Sequence, residues 1–182
     1  MVQSKSLWHL SSQESILRDE AIPTESSLLL GKAVCSNIST GTERLVATGN
    51  IPKELQKTMK VPYQKGEFNF PIQYGYSMII EIEKHFYHLM HPHQDYCLIS
   101  EDSLTPIPTG MDLKVASQIA NMETVINAVW DGKPTEISKI LVCGFGSIGS
   151  LLAVTLAKEY NLEVYVKESN PRKLDIAKKL GF

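Results

Sequence analysis

Hydrophobic and polar positions follow one period over the first two-thirds of the chain and another over the rest. In the first part the apolar runs are short. Ser6–His9 and Ser15–Arg18 flank a polar Ser11-Ser12-Gln13-Glu14 turn and predict an opening hairpin. Leu28–Ser36 predicts a mostly buried strand, and Tyr76–Glu83 ends in the apolar/acidic alternation of a half-exposed one. Phe86–His91 and Tyr96–Ile99 predict two further short strands, with Pro92–Asp95 as the turn between them. Strands of this length and spacing predict a compact barrel or sandwich. Pro52–Met59 predicts one short helix, with Pro52 in its first turn.

The period changes after the Pro106-Ile107-Pro108-Thr109-Gly110 breaker. Asp112 is a good N-cap, and Leu113, Ala116, Ile119, Ala120, Ile126, Val129 and Trp130 follow at helical spacing. They predict one helix, stopped by Asp131-Gly132-Lys133-Pro134. Then come an apolar strand (Ile140–Cys143), a glycine turn, a helix (Ser147–Glu159), a strand (Leu162–Val166) and a helix (Pro171–Leu180). This β-α-β-α order predicts a parallel sheet, so the fold class is α/β plus β. The expected division is a β-rich domain over 1–111, a connecting helix and linker over 112–134, and a dinucleotide-binding unit over 135–182.

Composition narrows the function classes. A net charge of -2 spread over 182 residues gives no electrostatic reason to expect nucleic acid or an anionic membrane as partner. No stretch approaches the roughly 20 apolar residues of a membrane span. The three cysteines, Cys35, Cys97 and Cys143, are far apart, which argues against a disulfide framework or a thiolate metal cage. A reduced, cytoplasmic setting is expected.

The strongest local signal is Gly144-Phe145-Gly146-Ser147-Ile148-Gly149. Three glycines at this spacing are weak alone; here they directly follow a strand and open an apolar helix. The first glycine permits the tight turn, the second lets a pyrophosphate approach the backbone, and the third lets helix pack on strand. The phosphates would sit on the amides and positive end of that helix. Glu168 ends the next strand, 24 positions after Gly144, where a carboxylate can accept both adenosine-ribose hydroxyls. That favours NAD(H). Lys167, Arg172 and Lys173 pull the other way, toward the 2′-phosphate of NADP(H). Asn170 and Lys173, which open the final helix, complete the expected cofactor set. Only half of such a fold is present, since a whole dinucleotide site needs about six strands. Either this is a fragment lacking a carboxy-terminal half, or something else, such as a second copy in a homo-oligomer, completes the sheet.

The order of parts resembles the medium-chain, zinc-type alcohol dehydrogenase superfamily. Three segments carry a narrower likeness to its bacteriochlorophyllide dehydrogenase-like subgroup: Ser36-Asn37-Ile38-Ser39-Thr40-Gly41-Thr42-Glu43, Phe70-Pro71-Ile72-Gln73-Tyr74-Gly75-Tyr76, and His91-Pro92-His93-Gln94 followed by Ala120-Asn121-Met122-Glu123-Thr124. The resemblance implies a GroES-like catalytic domain ahead of the first half of a Rossmann fold, with the active site between them. It also implies members nearly twice this length.

The superfamily's catalytic zinc ligands correspond to Ser39, Tyr76 and Glu123, of which only Glu123 is a good ligand at neutral pH. Zinc is therefore not expected. Without a metal, alcohol oxidation still needs an acceptor for the hydroxyl proton. Tyr76, Ser39, Thr40 and Thr42 are the hydroxyls near the lost metal position, and Tyr76 is the leading candidate, tuned by Glu123 or a histidine. Glu123 falls on the apolar stripe of its predicted helix, where a carboxylate is either a site residue or is held by structural partners. His85, His88, His91 and His93 crowd into one segment, but no carboxylate or thiol sits at ligand spacing. His91 and His93 either hydrogen-bond a polar substrate or form a solvated turn. The expected function is hydride transfer between NAD(H) and a small alcohol/carbonyl substrate. Two other readings stay open: a truncated, non-catalytic nucleotide-binding or scaffolding relative, and a zinc-free quinone or enoyl reductase, which would prefer NADPH.

Overall fold

Nine strands and five α-helices are seen among the described residues, 1–24 and 27–182, of the computed structural model. The chain divides into two units, Met1–Ile119 and Ala120–Phe182.

In the first unit, β1 (Val2–Ser11) and β2 (Glu14–Ile22) form the predicted hairpin, with Ser6 opposite Arg18 and His9 opposite Ser15. A second antiparallel sheet has the order β6-β3-β4-β5-β7, from β3 (Leu29–Ser36), β4 (Met78–Ile82), β5 (His85–Leu89), β6 (Tyr96–Ile99) and β7 (Thr105–Pro106). β4 lies at the centre of that sheet, and Met78, Ile79 and Ile80 are all fully buried. Burial on both faces removes any need for alternation, which explains why the sequence alternates only at the end of this strand.

β1 is also stitched to two irregular segments. His9 and Ile72 exchange both backbone hydrogen bonds at 2.9 Å, and the Leu7 N–H donates to the His93 carbonyl at 2.9 Å. Two apolar clusters fill the unit. One is Val46, Ile51, Phe68, Ile72 and Tyr74; the other is Met78, Ile80, Leu89, Cys97 and Ile99.

Three details depart from the sequence reading. A helix, α1 (Thr42–Ala47), stands where none is expected. The helix predicted over Pro52–Met59 shrinks to a single 3₁₀ turn, Lys53–Leu55, with one further bond from the Met59 N–H to the Leu55 carbonyl. Leu55 is exposed, so no apolar stripe anchors the segment, and short helices need such an anchor. The long helix after Asp112 is two: α2 (Leu113–Ala116) and α3 (Ile119–Gly132). Asp112 caps the first through its carboxylate, which accepts from the Lys114 and Val115 amides. The break falls after Ser117, whose hydroxyl donates to the Lys114 carbonyl and whose own carbonyl accepts from the Ser77 hydroxyl, both at 2.7 Å. Side-chain hydroxyls thus take over backbone groups that a continuous helix would use.

In the second unit, β8 (Lys139–Cys143) and β9 (Glu163–Lys167) pair in parallel, Lys139 opposite Glu163 and Cys143 opposite Lys167. α4 (Ser147–Lys158) and α5 (Pro171–Lys179) follow the two strands. Val142, Phe145, Ala153 and Ala177 make one buried cluster, and Val129, Leu156 and Leu162 another. The buried stripe of α3 is Asn121, Val125 and Val129, four apart. Glu123 is exposed and Trp130 is 65% exposed, so the expectation of a carboxylate on the apolar face is corrected. No helix among the described residues is long and apolar enough to cross a membrane.

Candidate functional site

The glycine turn joins β8 to α4. Gly144 takes φ +96°, a left-handed conformation that costs a residue with a Cβ, and its N–H donates to the Lys167 carbonyl of β9 at 2.8 Å. Gly149 is required for a different reason. A Cβ there would lie 2.0 Å from the Gly144 carbonyl oxygen, so the first turn of α4 can sit this close to the strand end only without a side chain.

Gly146 is the cap residue of α4. It has no side-chain oxygen to accept the amides of Ile148 and Gly149, which a serine or aspartate would satisfy. α5 is the contrast, because the Asn170 side chain accepts from the Arg172 and Lys173 amides. One helix start is closed by its own cap; the other has no side-chain cap. A Cβ on Gly144 would meet nothing within 4 Å, and one on Gly146 only the Lys173 ammonium at 3.9 Å. Open backbone beside an uncapped helix start and a lysine fits the diphosphate of a dinucleotide.

Glu168 points at this turn. Its Oε2 accepts from the Phe145 N–H at 2.6 Å and its Oε1 from the Asn170 N–H at 2.8 Å. The Asn170 amide first, then the Phe145 amide, hold the carboxyl below its usual pKa, with the Lys173 charge adding to them. The Ser169 amide also bears on it, and a carboxylate's roughly four lone-pair positions leave room for a further donor such as a hydroxyl. Phe145 itself is buried, its ring tilted against Phe182 at 5.9 Å. Ser147 is exposed and Ile148 half-buried at the start of α4.

The first unit holds a second polar focus. Glu43, in the first turn of α1, is 3% exposed. Its Oε1 accepts from the Ser39 N–H at 2.9 Å and its Oε2 meets His93 Nε2 at 2.6 Å, in a pair that is buried on both sides. The His93 ring occupies the space a side chain on Gly75 would need, for a Cβ there would come within 2.8 Å of Nε2. His93 Nδ1 is buried and has no hydrogen-bond partner. Tyr76, the residue after Gly75, is half-buried and meets the Tyr74 ring edge-on at 6.3 Å. Tyr74 donates to the Met59 carbonyl at 2.8 Å, and burial, with Tyr76 and Glu43 nearby, pushes its hydroxyl up to about 12. Burial also lowers the pKa of His9, which lies in electrostatic reach of Glu43 and His93 and bonds Ser15 Oγ through Nδ1 at 2.7 Å.

Of the hydroxyl and imidazole candidates, the structure brings His93 to Glu43 by its ring and Ser39 by its backbone amide, while Thr42 precedes Glu43 in the chain and Tyr76 packs on Tyr74. Glu123, in the second unit, is exposed. Glu43 was passed over in the sequence because its partner is 50 residues away. Its one signal is an acidic residue directly after Ser39-Thr40-Gly41-Thr42. The four clustered histidines go to separate partners: His93 to Glu43, His88 to Ser77, His91 to the Pro92 carbonyl and the face of Tyr63, and His85 to the Glu83 carbonyl. The solvated-turn alternative for His91 and His93 is corrected, since they are only 5% and 6% exposed. No group of three or more His, Cys, Asp or Glu among the described residues is arranged to hold a metal ion.

No family model matches the chain, and no curated protein sequence does. Solved structures match it closely in fold. A quinone oxidoreductase from Thermus thermophilus, solved alone and with NADPH, superposes with a TM-score of 0.73 at 18% identity, over 97% of this chain and 57% of its own. A protein described as a short chain alcohol dehydrogenase from Escherichia coli, complexed with NADH, gives 0.76 at 17% identity, over 98% and 60%. The CurF cyclopropanase of the curacin A biosynthetic pathway gives 0.76 at 15%, over 99% and 58%.

The fold is that of these solved structures. It is a mixed, sheet-rich α/β arrangement. The chain spans about three-fifths of the length of the solved structures it matches.

Proposed function

We propose that the chain is part of an NAD(H)-dependent oxidoreductase that transfers hydride between the cofactor and an alcohol/carbonyl substrate, without a catalytic zinc. The observation that carries this reading is the second unit's turn: uncapped amides at Ile148 and Gly149, open backbone at Gly144 and Gly146, and a carboxylate at Glu168 aimed at the same loop. The amides would take the diphosphate and Glu168 the adenosine ribose. When bound, the nicotinamide supplies the hydride chemistry. The first unit would supply polar groups: the hydroxyls of Tyr76, Ser39 and Thr42, and the His93 imidazole. A GroES-like catalytic domain followed by the first half of a Rossmann fold is the architecture this reading implies, and the narrower likeness to bacteriochlorophyllide dehydrogenases belongs to it too.

One observation favours a second reading. The Lys173 ammonium stands beside Gly146, and a cation there suits NADPH, the cofactor bound in the Thermus thermophilus structure. On that reading the substrate is a quinone or an activated alkene.

Fluorescence titration of the chain with NADH and with NADPH separates these. Tighter NADH binding supports the first reading, and a clear NADPH preference moves the assignment to the second. Saturable binding of neither removes both and leaves a non-catalytic relative.

A further inference from the structure

The buried pair in the first unit has one feature that packing alone does not require. Every polar atom of the Glu43 carboxylate is engaged, Oε1 by the Ser39 N–H and Oε2 by His93 Nε2. The other nitrogen of the same imidazole is shut off from solvent and bonded to nothing. A buried acceptor without a donor is unfavourable, and such atoms in folded proteins call for an explanation. The ring has no freedom to escape the situation. It fills the gap left by the absent side chain of Gly75, and the His93 backbone is pinned to β1 by the Leu7 N–H.

The donor–acceptor pattern dictates where the imidazole proton resides. With Glu43 ionised, both of its oxygens accept, Oε1 from the Ser39 amide and Oε2 from His93, so Nε2 carries the hydrogen. In the neutral ring Nδ1 is then a bare lone pair. We propose that Glu43 is a positioning residue that fixes His93 in the Nε2–H tautomer, so that the buried Nδ1 is reserved as the hydrogen-bond acceptor for a ligand hydroxyl. The hydroxyl half of the proposal rests on the alcohol/carbonyl reading above; the tautomer half does not.

The test uses the full chain labelled with ¹⁵N-histidine, its imidazole nitrogens observed by NMR near neutral pH. His93→Gln identifies which of the five histidine signals is that of His93. In the wild type, His93 is expected to show a proton on Nε2 and a bare Nδ1. Trifluoroethanol, a small strong hydroxyl donor, is expected to shift Nδ1 saturably toward the hydrogen-bonded range while the other histidines stay still. Glu43→Gln is nearly isosteric yet inverts the pattern. Its amide oxygen must face the Ser39 N–H, so its NH₂ faces Nε2 and drives the ring proton to Nδ1, abolishing the trifluoroethanol response.

A wild-type proton on Nδ1, an equal mixture of tautomers, or a Glu43→Gln spectrum with the tautomer unchanged each overturns the positioning role. An Nδ1 already at a hydrogen-bonded shift before addition, or one that ignores trifluoroethanol, overturns the reservation for a ligand and leaves a resident water as its partner. Should Glu43→Gln fail to fold, the wild-type tautomer and titration still decide. Failure of both NADH and NADPH to bind, with the tautomer and titration as expected, would end the oxidoreductase reading and leave this one standing.

Discussion

The Glu168 carboxylate bridges the Phe145 amide of the glycine turn and the Asn170 amide that opens α5, at 2.6 and 2.8 Å. Asn170 in turn caps α5, and Lys173 in the first turn of that helix stands beside Gly146. One side chain thus sets the geometry of both edges of the proposed nucleotide cradle. Backbone amides recognise only its ionised form as an acceptor pair, so its pKa lies below the usual carboxylate value. A group depressed in the folded state contributes above its unfolded pKa, and its contribution is lost as pH falls through the folded value. The Phe145 and Asn170 amide resonances are therefore expected to move together, in one transition whose midpoint lies below that of an ordinary carboxylate. Glu168→Gln is expected to abolish that common acid transition and to weaken NADH binding about tenfold, with NADPH affected less, since a carboxylate repels a 2′-phosphate. Titration of the two amides at their ordinary, unrelated positions would show that the bridge is not present in solution.

Gly146 and Gly149 are three residues apart and are expected to fail differently. A methyl group on Gly149 collides with the Gly144 carbonyl at 2.0 Å, and neither backbone segment can yield without parting helix from strand. Gly149→Ala should lower unfolding stability by about 2–3 kcal/mol, the range of an overpacked core. Gly146 has φ -82°, which alanine adopts freely, and its Cβ would meet only a flexible lysine tip at 3.9 Å. Gly146→Ala should leave the denaturation midpoint unmoved while weakening NADH binding at least tenfold, because the methyl projects where a diphosphate would sit. Denaturant melts and a cofactor titration of both variants check the pair. Equal stability loss in the two would mean that Gly146, too, is there for packing.

What the sequence makes legible divides along chain distance. The β8-turn-α4-β9-α5 order, the Asp112 and Asn170 caps and the Ser6–Arg18 hairpin are read from neighbours within a few residues, where period and cap chemistry decide. The break at Ser117 is decided by a hydroxyl from Ser77, 40 residues away, so a continuous helical pattern conceals it. Glu123 illustrates the cost: its spacing from Ile119 and Ile126 puts a carboxylate on an apolar face, whereas α3 buries Asn121, Val125 and Val129. The Glu43–His93 pair is hidden for the same reason. Each partner sits in a short, irregular segment, and only the folded first unit shows that the missing side chain of Gly75 makes room for the imidazole between them.

His91 offers a pH test of the first unit that is independent of any cofactor. Its ring stacks on Tyr63 with centroids 4.8 Å apart, and its Nδ1–H donates to the Pro92 carbonyl at 2.8 Å. Burial is the chief cause that drives its pKa down to about 4, the Pro92 bond opposing it in part. In the unfolded chain the same imidazole titrates near about 6.5. Below that value the unfolded state binds a proton that the folded state refuses, so stability falls as pH drops from about 6.5 toward 4 and levels off below it. The gap corresponds to a loss on the order of 3 kcal/mol. His91→Phe keeps a flat ring against Tyr63 but cannot take up the proton. It is expected to be less stable than the wild type at pH 7, where the Pro92 bond is lost, and to lose less stability on acidification to pH 4.5, so that the two denaturation curves converge. Parallel losses in both proteins would place the acid sensitivity elsewhere and show that His91 is protonated without cost in the folded chain.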